Sequence, residues 1–483
     1  MISLYEKLFA TVDWGKKHRT AQKRALEAFR HVYEHSEWYR NTCKTWGNTP
    51  ENVRDFKAVP ILDKKSVFEH HSLEQLLGKN KTPVRFLFPS SGRTGRLSFG
   101  VMTTKDVKRA TQTTDLFLKL FFHANKQDTL LINCSAMGVR IFTEYSCCDV
   151  GSRADLVAGL LKNLSTRWKK IIITTYPNFL KHLVDYCTDS GIDFDSFQIF
   201  FVTGGEYFPE SLRTYIHTMT QKSFFNNKGY WLSIYGLTEI GYPVFFETPD
   251  TAIMRHLDHS GQLDLPQIPG NPFTLAQPFY FNYIPLQLYV ENLIANTWSD
   301  LVFTHLVKRR IQLIRYNTHD QGLIFQSKDQ NNLVGELKKH NIHRRFNFKL
   351  LTLIGQTDQY QTFKTQNIFV NDIKELLYQN HAIARAITGY FYLNKDNKTH
   401  LFVQLRKNKT LKPNLIKSLQ NTLDDHYPGA IQLKTVAFHK MTEQMELDFE
   451  RKFDHIPTGQ QTDKETGNHD CDKVLFSGSS NRK

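Results

Sequence analysis

No uninterrupted apolar run in the sequence approaches the roughly 18 residues that a bilayer-crossing helix needs. The most apolar stretches, such as 129–139 and 170–174, are strand-sized, so a transmembrane role is not expected. The opening residues MISLYEKLFATVDWGKKHRT lack the basic-then-apolar order of a secretory leader, which makes the cytoplasm the expected compartment. Cysteine is scarce. The six present (Cys43, Cys134, Cys147, Cys148, Cys187, Cys471) form no C-x-x-C pair, which argues against both a zinc site and a disulfide framework. Histidine is plentiful at 20, yet the close pairs His256–His259 and His340–His343 come without a third ligand. Neither the G-x-x-x-x-G-K-[ST] loop nor the G-x-G-x-x-G fingerprint occurs at the glycine-rich segment, so P-loop and dinucleotide readings fail there. Acidic residues are outnumbered, 47 against 62 Lys and Arg, for a formal charge of +15. The basic residues are dispersed rather than gathered into a tract, so nucleic acid is not expected, and an anionic membrane surface or an acidic protein partner such as a carrier protein stays open.

What is present is core material. Hydrophobic residues make up 40% of 483, with 36 Phe and 20 Tyr, which is enough for a packed globular chain too long for a single core. Residues 1–75 carry apolar and aromatic residues at helical spacing, as in ALEAFRHVYEHSEWYRNTC. From about Pro83 to Tyr316 the runs RFLFPSS, DTLLINCS, KKIIITTY, FQIFFVTGG and YWLSIYG alternate with helical patterns, an α/β rhythm with crossover helices. In such domains ligands gather beyond the carboxyl ends of the strands. After a break near 353–361, a smaller unit with a helix (NDIKELLYQN), two strands (AITGYFYLN, THLFVQLRK) and a second helix (LIKSLQNTLDDH) is expected to form an α+β lid. The expected division is a large domain 1–357, a small C-terminal domain 358–456, and a polar, disordered tail 457–483.

Chemistry concentrates in a few segments. Phe88-Pro89-Ser90-Ser91-Gly92-Arg93-Thr94-Gly95-Arg96 opens a strand into a loop of glycines and hydroxyls, able to turn several N–H groups toward one anion. Taken alone it is also an ordinary turn. Thr203-Gly204-Gly205-Glu206 follows a strand, and alone reads as a turn with a helix cap. Tyr235-Gly236-Leu237-Thr238-Glu239, Asp300–Leu306 (DLVFTHL) and Leu313–Asp320 (LIRYNTHD) come next, followed by Leu353–Gln359 (LIGQTDQ).

In this order the segments resemble the motifs of the adenylate-forming superfamily, in its phenylacetate–CoA ligase-like branch, from about residue 25 to 455. The phosphate loop there reads S-S-G-T-T-G-K-P, and the later motifs read G-G-E, Y-G-x-T-E, E-L-V-F-T-H-L, L-I-R-Y-x-T-G-D and G-R-x-D-D. The resemblance implies a large mixed-sheet domain with crossover helices plus a small mobile α+β domain. It implies ATP and Mg²⁺, an acyl or aryl carboxylic acid as substrate, release of pyrophosphate, and transfer to a thiol of coenzyme A or of an acidic acyl carrier protein. It places Ser90, Ser91, Gly92, Thr94, Gly95 and Arg96 on the phosphates, and Gly204, Gly205, Glu206, Tyr235 and Gly236 about the adenine. Thr238 meets the α-phosphate, Glu239 holds magnesium and Asp320 accepts the ribose hydroxyls. A hard-oxygen metal ligand beside an α-phosphate donor neutralises the charge that builds during attack. Asp358 is the implied hinge and Lys452 the implied lid lysine, with Lys440 second, while Phe142 and Thr143 sit where the branch places its acid pocket. Five positions depart from the pattern: Arg93, Arg96 and Leu97 in the loop, His319 where the family has glycine, and Gln356 where it has an arginine that helps hold the nucleotide. Two other readings stay open: an acyl-protein synthetase that loads its own cysteine, with Cys471 as candidate, and a catalytically decayed protein that only binds a nucleotide or acyl group.

Overall fold

The computed structural model describes residues 12–90, 97–135, 139–164, 167–264, 271–355, 359–395, 399–440, 453 and 455–456. The described residues open with the helix Trp14–His35, capped by Asp13, whose carboxylate accepts the Lys16 N–H at 2.8 Å. Its buried stripe of Ala21, Ala25, Ala28, Phe29 and Val32 repeats at helical spacing and lies across the antiparallel part of the main sheet. A second helix, Glu37–Thr45, follows after Ser36.

The main sheet has eleven strands. From one edge to the other they are Leu288–Asn292, Ser299–His305, Tyr316–Ile324, Lys349–Gly355, Phe279–Tyr283, Gly241–Phe246, Trp231–Leu237, Gln198–Thr203, Lys170–Thr175, Thr129–Asn133 and Ser146–Asp149. The last five are parallel. They read as near-continuous apolar runs because both faces are covered. Ile171 and Ile173 pack on one side with the helices Ala154–Asn163 and Pro177–Asp189, and Ile172 packs on the other with Phe121 and Phe122 of the helix Thr104–Phe122. All five strand runs expected from the sequence are strands. RFLFPSS, however, joins no crossover unit: Phe86–Pro89 pairs only with Phe99–Met102 in a separate antiparallel hairpin.

The six neighbours beyond Trp231–Leu237 pair antiparallel, and this half curls. Phe245 and Phe303 belong to strands four spacings apart, roughly 19 Å in a flat sheet, yet their ring centroids are 5.7 Å apart. Phe281 and Tyr283 join them in an aromatic core that closes the curl.

The C-terminal residues build a three-stranded sheet, Ile387–Lys395, Thr399–Leu405 and Ile431–Val436, with the helices Val370–Gln379 and Pro413–His426. Buried polar contacts fasten this unit to the rest. One turn apart on Val370–Gln379, Asp372 accepts the N–H groups of Thr274, Leu275 and Ala276, and Glu375 accepts those of Glu210 and Ser211. Glu375 thereby caps the helix Glu210–Thr220 from across the chain. Nearby, buried Lys181 donates to Asp185 at 2.7 Å and to the Ile387 carbonyl. Asp185 also receives Tyr215 at 2.5 Å and Arg385 at 2.9 Å. Replacing Asp185 by alanine strands the Lys181 ammonium in a buried site. The expected loss is about 3–5 kcal/mol, read as a lower denaturation midpoint in urea. An unchanged midpoint would show that the network contributes nothing.

Candidate functional site

The expected site residues that can be described gather at one place, the carboxyl ends of the parallel strands and the mouth of the curled half. Thr238, Glu239 and Ile240 form the turn between Trp231–Leu237 and Gly241–Phe246, where the sheet switches from parallel to antiparallel pairing. A crossover switch of this kind leaves a crevice open above the strand ends.

Three contacts hold that turn. From above, the Ser98 hydroxyl donates to Glu239 Oε1. One pleat further on, a Cβ at Gly100 would stand 2.1 Å from the Thr238 carbonyl oxygen, so only glycine lets the hairpin lie this close. From below, the His305 Nε2–H donates to the Ile240 carbonyl at 2.8 Å while Nδ1 accepts the Leu313 N–H at 3.1 Å. An Nδ1 that accepts carries no proton, so the ring is the neutral Nε2–H tautomer. Burial, reinforced by Arg309, pushes its pKa down to about 3. Phe88, Gly100, Thr238, Glu239, His305 and Arg309 bound a cavity of about 20 Å³ beneath the turn.

The rest of the described set surrounds this centre. Ser90 stands at the neck of the glycine-rich loop, where its N–H donates to the Ser98 carbonyl at 2.9 Å and its Oγ accepts the Ser98 N–H at 3.0 Å. Gly204, Gly205 and Glu206 follow the strand Gln198–Thr203. Gly205 has φ +88°, and a Cβ there would stand 2.7 Å from the Tyr176 ring, so the segment lies flat against that ring. Glu206 accepts from the Asn178 amide at 3.3 Å. Tyr235, next to Gly236, stacks on Phe245 at 5.2 Å and donates its hydroxyl to Asp320 Oδ2 at 2.5 Å. Burial, and after it the Asp320 charge, holds the Tyr235 phenol protonated far above its ordinary range. Asp320 also lies beside Gly355, the residue before segment 356–358.

Of the weaker expectations, Phe142 packs on Phe86 of the hairpin at 5.2 Å, but the Thr143 hydroxyl is taken by Asp115 at 2.5 Å. Lys440 is exposed at the end of a short turn. Ser91, Gly92, Arg93, Thr94, Gly95, Arg96, Gln356, Asp358, Lys452 and Cys471 lie outside the described residues. His319 takes the left-handed conformation, φ +62°, that glycine adopts without cost. The Asn317 side chain accepts its N–H at 2.8 Å, and its ring reaches Asp300 at 3.2 Å. Sequence reasoning passed over Ser98, Gly100, Tyr176 and the imidazole of His305. Tyr176 ends the run KKIIITTY and His305 lies within DLVFTHL, but nothing in either segment says that their partners are Gly205 and Ile240.

No protein-family model matches the chain. A curated relative, the long-chain-fatty-acid–luciferin-component ligase of Photorhabdus luminescens, is 29% identical over 82 residues, which are 17% of this chain and 66% of the relative. Solved structures match over nearly the whole length. 2-Hydroxyisobutyryl-CoA ligase in the postadenylation state, in complex with R3-HIB-AMP, superposes with TM-score 0.65 at 12% identity, covering 93% of this chain and 91% of that one. The chain has the fold of the adenylate-forming ligases. The same ligase in an open conformation, in complex with 2-HIB-AMP and CoA, matches this adenylate-forming fold less well, with TM-score 0.54 at 13% identity over 91% of each chain. Among the described residues of this ligase-like fold, no helix is long and apolar enough to cross a membrane.

His305 shares its neutral state with other buried imidazoles. Burial lowers His217 to about 3, and His18 and His182 to about 4. In the unfolded chain each takes up a proton near pH 6.5, but in the folded chain only near pH 3–4. The unfolded state therefore binds more protons across that window, and stability falls as the pH drops through it. Urea midpoints at pH 7.5, 6.0 and 5.0 should decrease in that order, and His305→Gln should flatten part of the slope. Equal midpoints would mean that these rings are protonated in the fold.

Proposed function

We propose that the chain activates a carboxylic acid with ATP to form an acyl-adenylate and pyrophosphate, then passes the acyl group to a thiol. The observation that carries this reading is the meeting of Thr238, Glu239, Tyr235 and Asp320 with the neck of the glycine-rich loop at one crevice. In the first half-reaction a carboxylate oxygen of the acid bonds to the α-phosphorus of ATP. The bond from that phosphorus to the bridging oxygen breaks, and pyrophosphate leaves in line. In the second, the thiol sulfur attacks the acyl carbon, losing its proton, and AMP departs.

The residues divide this work by position and charge. Asp320 accepts from Tyr235 and faces the ribose with its carboxylate, while the Tyr235 ring and the flat Gly204–Glu206 segment border the adenine. The Thr238 hydroxyl is the donor at the α-phosphate. Ser90, Ser91, Gly92, Thr94, Gly95 and Arg96 supply N–H groups, hydroxyls and a guanidinium to the β- and γ-phosphates. Lys452 balances the charge of the incoming carboxylate. Glu239 fits a hard cation: its described partner is one hydroxyl, on Oε1 alone, and none of the ion pairs among the described residues includes it. Mg²⁺ bound there would neutralise phosphate charge and orient the leaving group. Segment 356–358, with Gln356 and Asp358, is the pivot about which the C-terminal domain turns between the half-reactions.

Phenylacetate–CoA ligase-like chemistry in the cytoplasm is our finer reading, and the long-chain fatty acid in the name of the Photorhabdus luminescens relative adds that class to the candidates. For the acceptor, burial pushes the thiols of Cys43 and Cys147 up to about 11 and those of Cys134 and Cys187 up to about 12, which suits none of them to attack at neutral pH. That favours an external thiol, of coenzyme A or of an acidic carrier protein drawn to the positive chain, with Cys471 the internal candidate.

Pyrophosphate release should be followed with ATP and Mg²⁺ across aryl acids and fatty acids of increasing length. The expected result is acid-dependent release that Glu239→Ala lowers about a hundredfold or more. Asp320→Asn should raise the KM for ATP about tenfold with a smaller change in kcat. Silence across the whole panel, with ATP still bound, would transfer the reading to a non-catalytic nucleotide-binding protein.

A further inference from the structure

The C-terminal unit turns one strongly positive end to solvent. Between Asp396 and Asp424 the sequence has no acidic residue, against six Lys and Arg. The fold gathers most of these where the strand Thr399–Leu405 ends and the helix Pro413–His426 begins. Lys407, Lys409, Lys412 and Lys417 are all exposed there, and among the described residues none of them enters an ion pair. Lys412 is the N-cap of the helix, whose first turn holds no carboxylate. Cations at that end oppose the helix dipole and repel one another, a local cost that an anionic partner would remove. Arg406 ties this end to the large domain: its guanidinium reaches Asp185 at 3.4 Å and pairs with Asp189, the last residue of the helix Pro177–Asp189. The other end of that helix lies at the candidate site, where Asn178 donates to Glu206. Eleven residues of helix separate Asn178 from Asp189, roughly 17 Å, which is about the reach of an extended phosphopantetheine arm.

We propose that this lysine surface docks an acidic protein that carries the acceptor thiol on a flexible arm. The inference rests on the adenylation reading and chooses between the two external thiols left open there. Recognition of a nucleotide phosphate favours the planar fork of arginine, and the one arginine here is already committed to Asp185 and Asp189. Solvent-facing lysines suit the other task, drawing in and orienting a protein of opposite charge. The carrier then rests at the Asp189 end of the helix Pro177–Asp189 while its arm reaches the crevice. The thiol sulfur bonds to the acyl carbon and its proton goes to water. The bond from that carbon to the AMP oxygen breaks, leaving the acyl group on the carrier as a thioester.

The test uses the full chain and the acid that gives the strongest pyrophosphate release. Acyl transfer is measured to a bacterial acyl carrier protein bearing phosphopantetheine and, separately, to free coenzyme A. The wild type is compared with a variant that combines Lys407→Glu, Lys409→Glu, Lys412→Glu and Lys417→Glu. The variant should lose at least about tenfold in kcat/KM for the carrier protein, and keep both its kcat/KM for coenzyme A and its acid-dependent pyrophosphate release. Changing the same four lysines to glutamine should give a smaller loss with the same selectivity, which keeps the test decisive if the charge reversal folds poorly. Raising the salt from about 0.05 M to about 0.5 M should shrink the wild-type rate with the carrier protein, because exposed charges are screened. Equal losses with both thiols overturn the proposal, as does an unchanged rate with the carrier protein, or transfer to coenzyme A alone. If no acid releases pyrophosphate, the adenylation reading falls and this inference with it. Release that persists while the lysines prove indifferent removes this inference alone.

Discussion

The contact from Tyr235 to Asp320 exists only because the antiparallel half of the sheet bends back on itself. Four strand spacings separate the two residues along the sheet, roughly 19 Å when flat, and a tyrosine side chain cannot span that. The bend comes from the aromatic core of Phe245, Phe281, Tyr283 and Phe303, which packs on the concave face and whose rings lie within about 6 Å of Phe245. The register shifts at Gln321/Gly322 and at Asp300/Val302 increase local twist where the strand carrying Asp320 must turn inward. The candidate nucleotide site thus depends on apolar packing beneath it, and its polar groups are aimed by that packing.

The same dependence explains how the turn Thr238–Ile240 keeps its shape. It sits where parallel pairing ends, so one side of it has no continuing ladder. The hairpin covers it from one direction and His305 from the other, which replaces the missing ladder with a backbone contact, a hydroxyl and a neutral imidazole. Asp106 extends the support, accepting Arg309 at 3.2 Å and Arg109 at 3.3 Å next to the same cavity. A charged imidazole could not keep Nδ1 as an acceptor, so the support is tied to the neutral state of the ring.

Much of this was open to a reading of the sequence, and the part that was not has a common cause. The parallel strands announce themselves as apolar runs, since burial on both faces leaves no polar alternation. Tyr235, Thr238, Glu239 and Asp320 stand in short segments whose residue types suggest their chemistry. Ser98 and Glu239 are separated by 141 positions, and a lone serine just ahead of a strand carries no local sign of such a partner. The anchoring carboxylates Asp372 and Glu375 look like the solvated face of an amphipathic helix until the fold brings the N–H groups of residues 274–276 and 210–211 to them. The hairpin Phe86–Met102 had the composition of a sheet strand, and only the pairing partner decides which sheet it joins.

The anchoring of the C-terminal unit bears on any motion assigned to it. A rotation about segment 356–358 would have to release Lys181 from the Ile387 carbonyl, Arg385 and Arg406 from Asp185 and Asp189, Asp372 from the N–H groups of 274–276, and Glu375 from its helix cap. Groups of this kind suit a contact that breaks and reforms, because water can take over their hydrogen bonds once they separate, whereas an apolar interface of equal area offers no such substitute. The Lys181–Asp185 pair lies within one helix, four residues apart, and could stay closed while its outer partners leave. What such a rotation would give up is then mainly the contacts of Arg385, Arg406, Asp372 and Glu375, together with the apolar packing around Ile373 and Leu376. The residues that fasten the two units are therefore the same ones that would set how readily they could part.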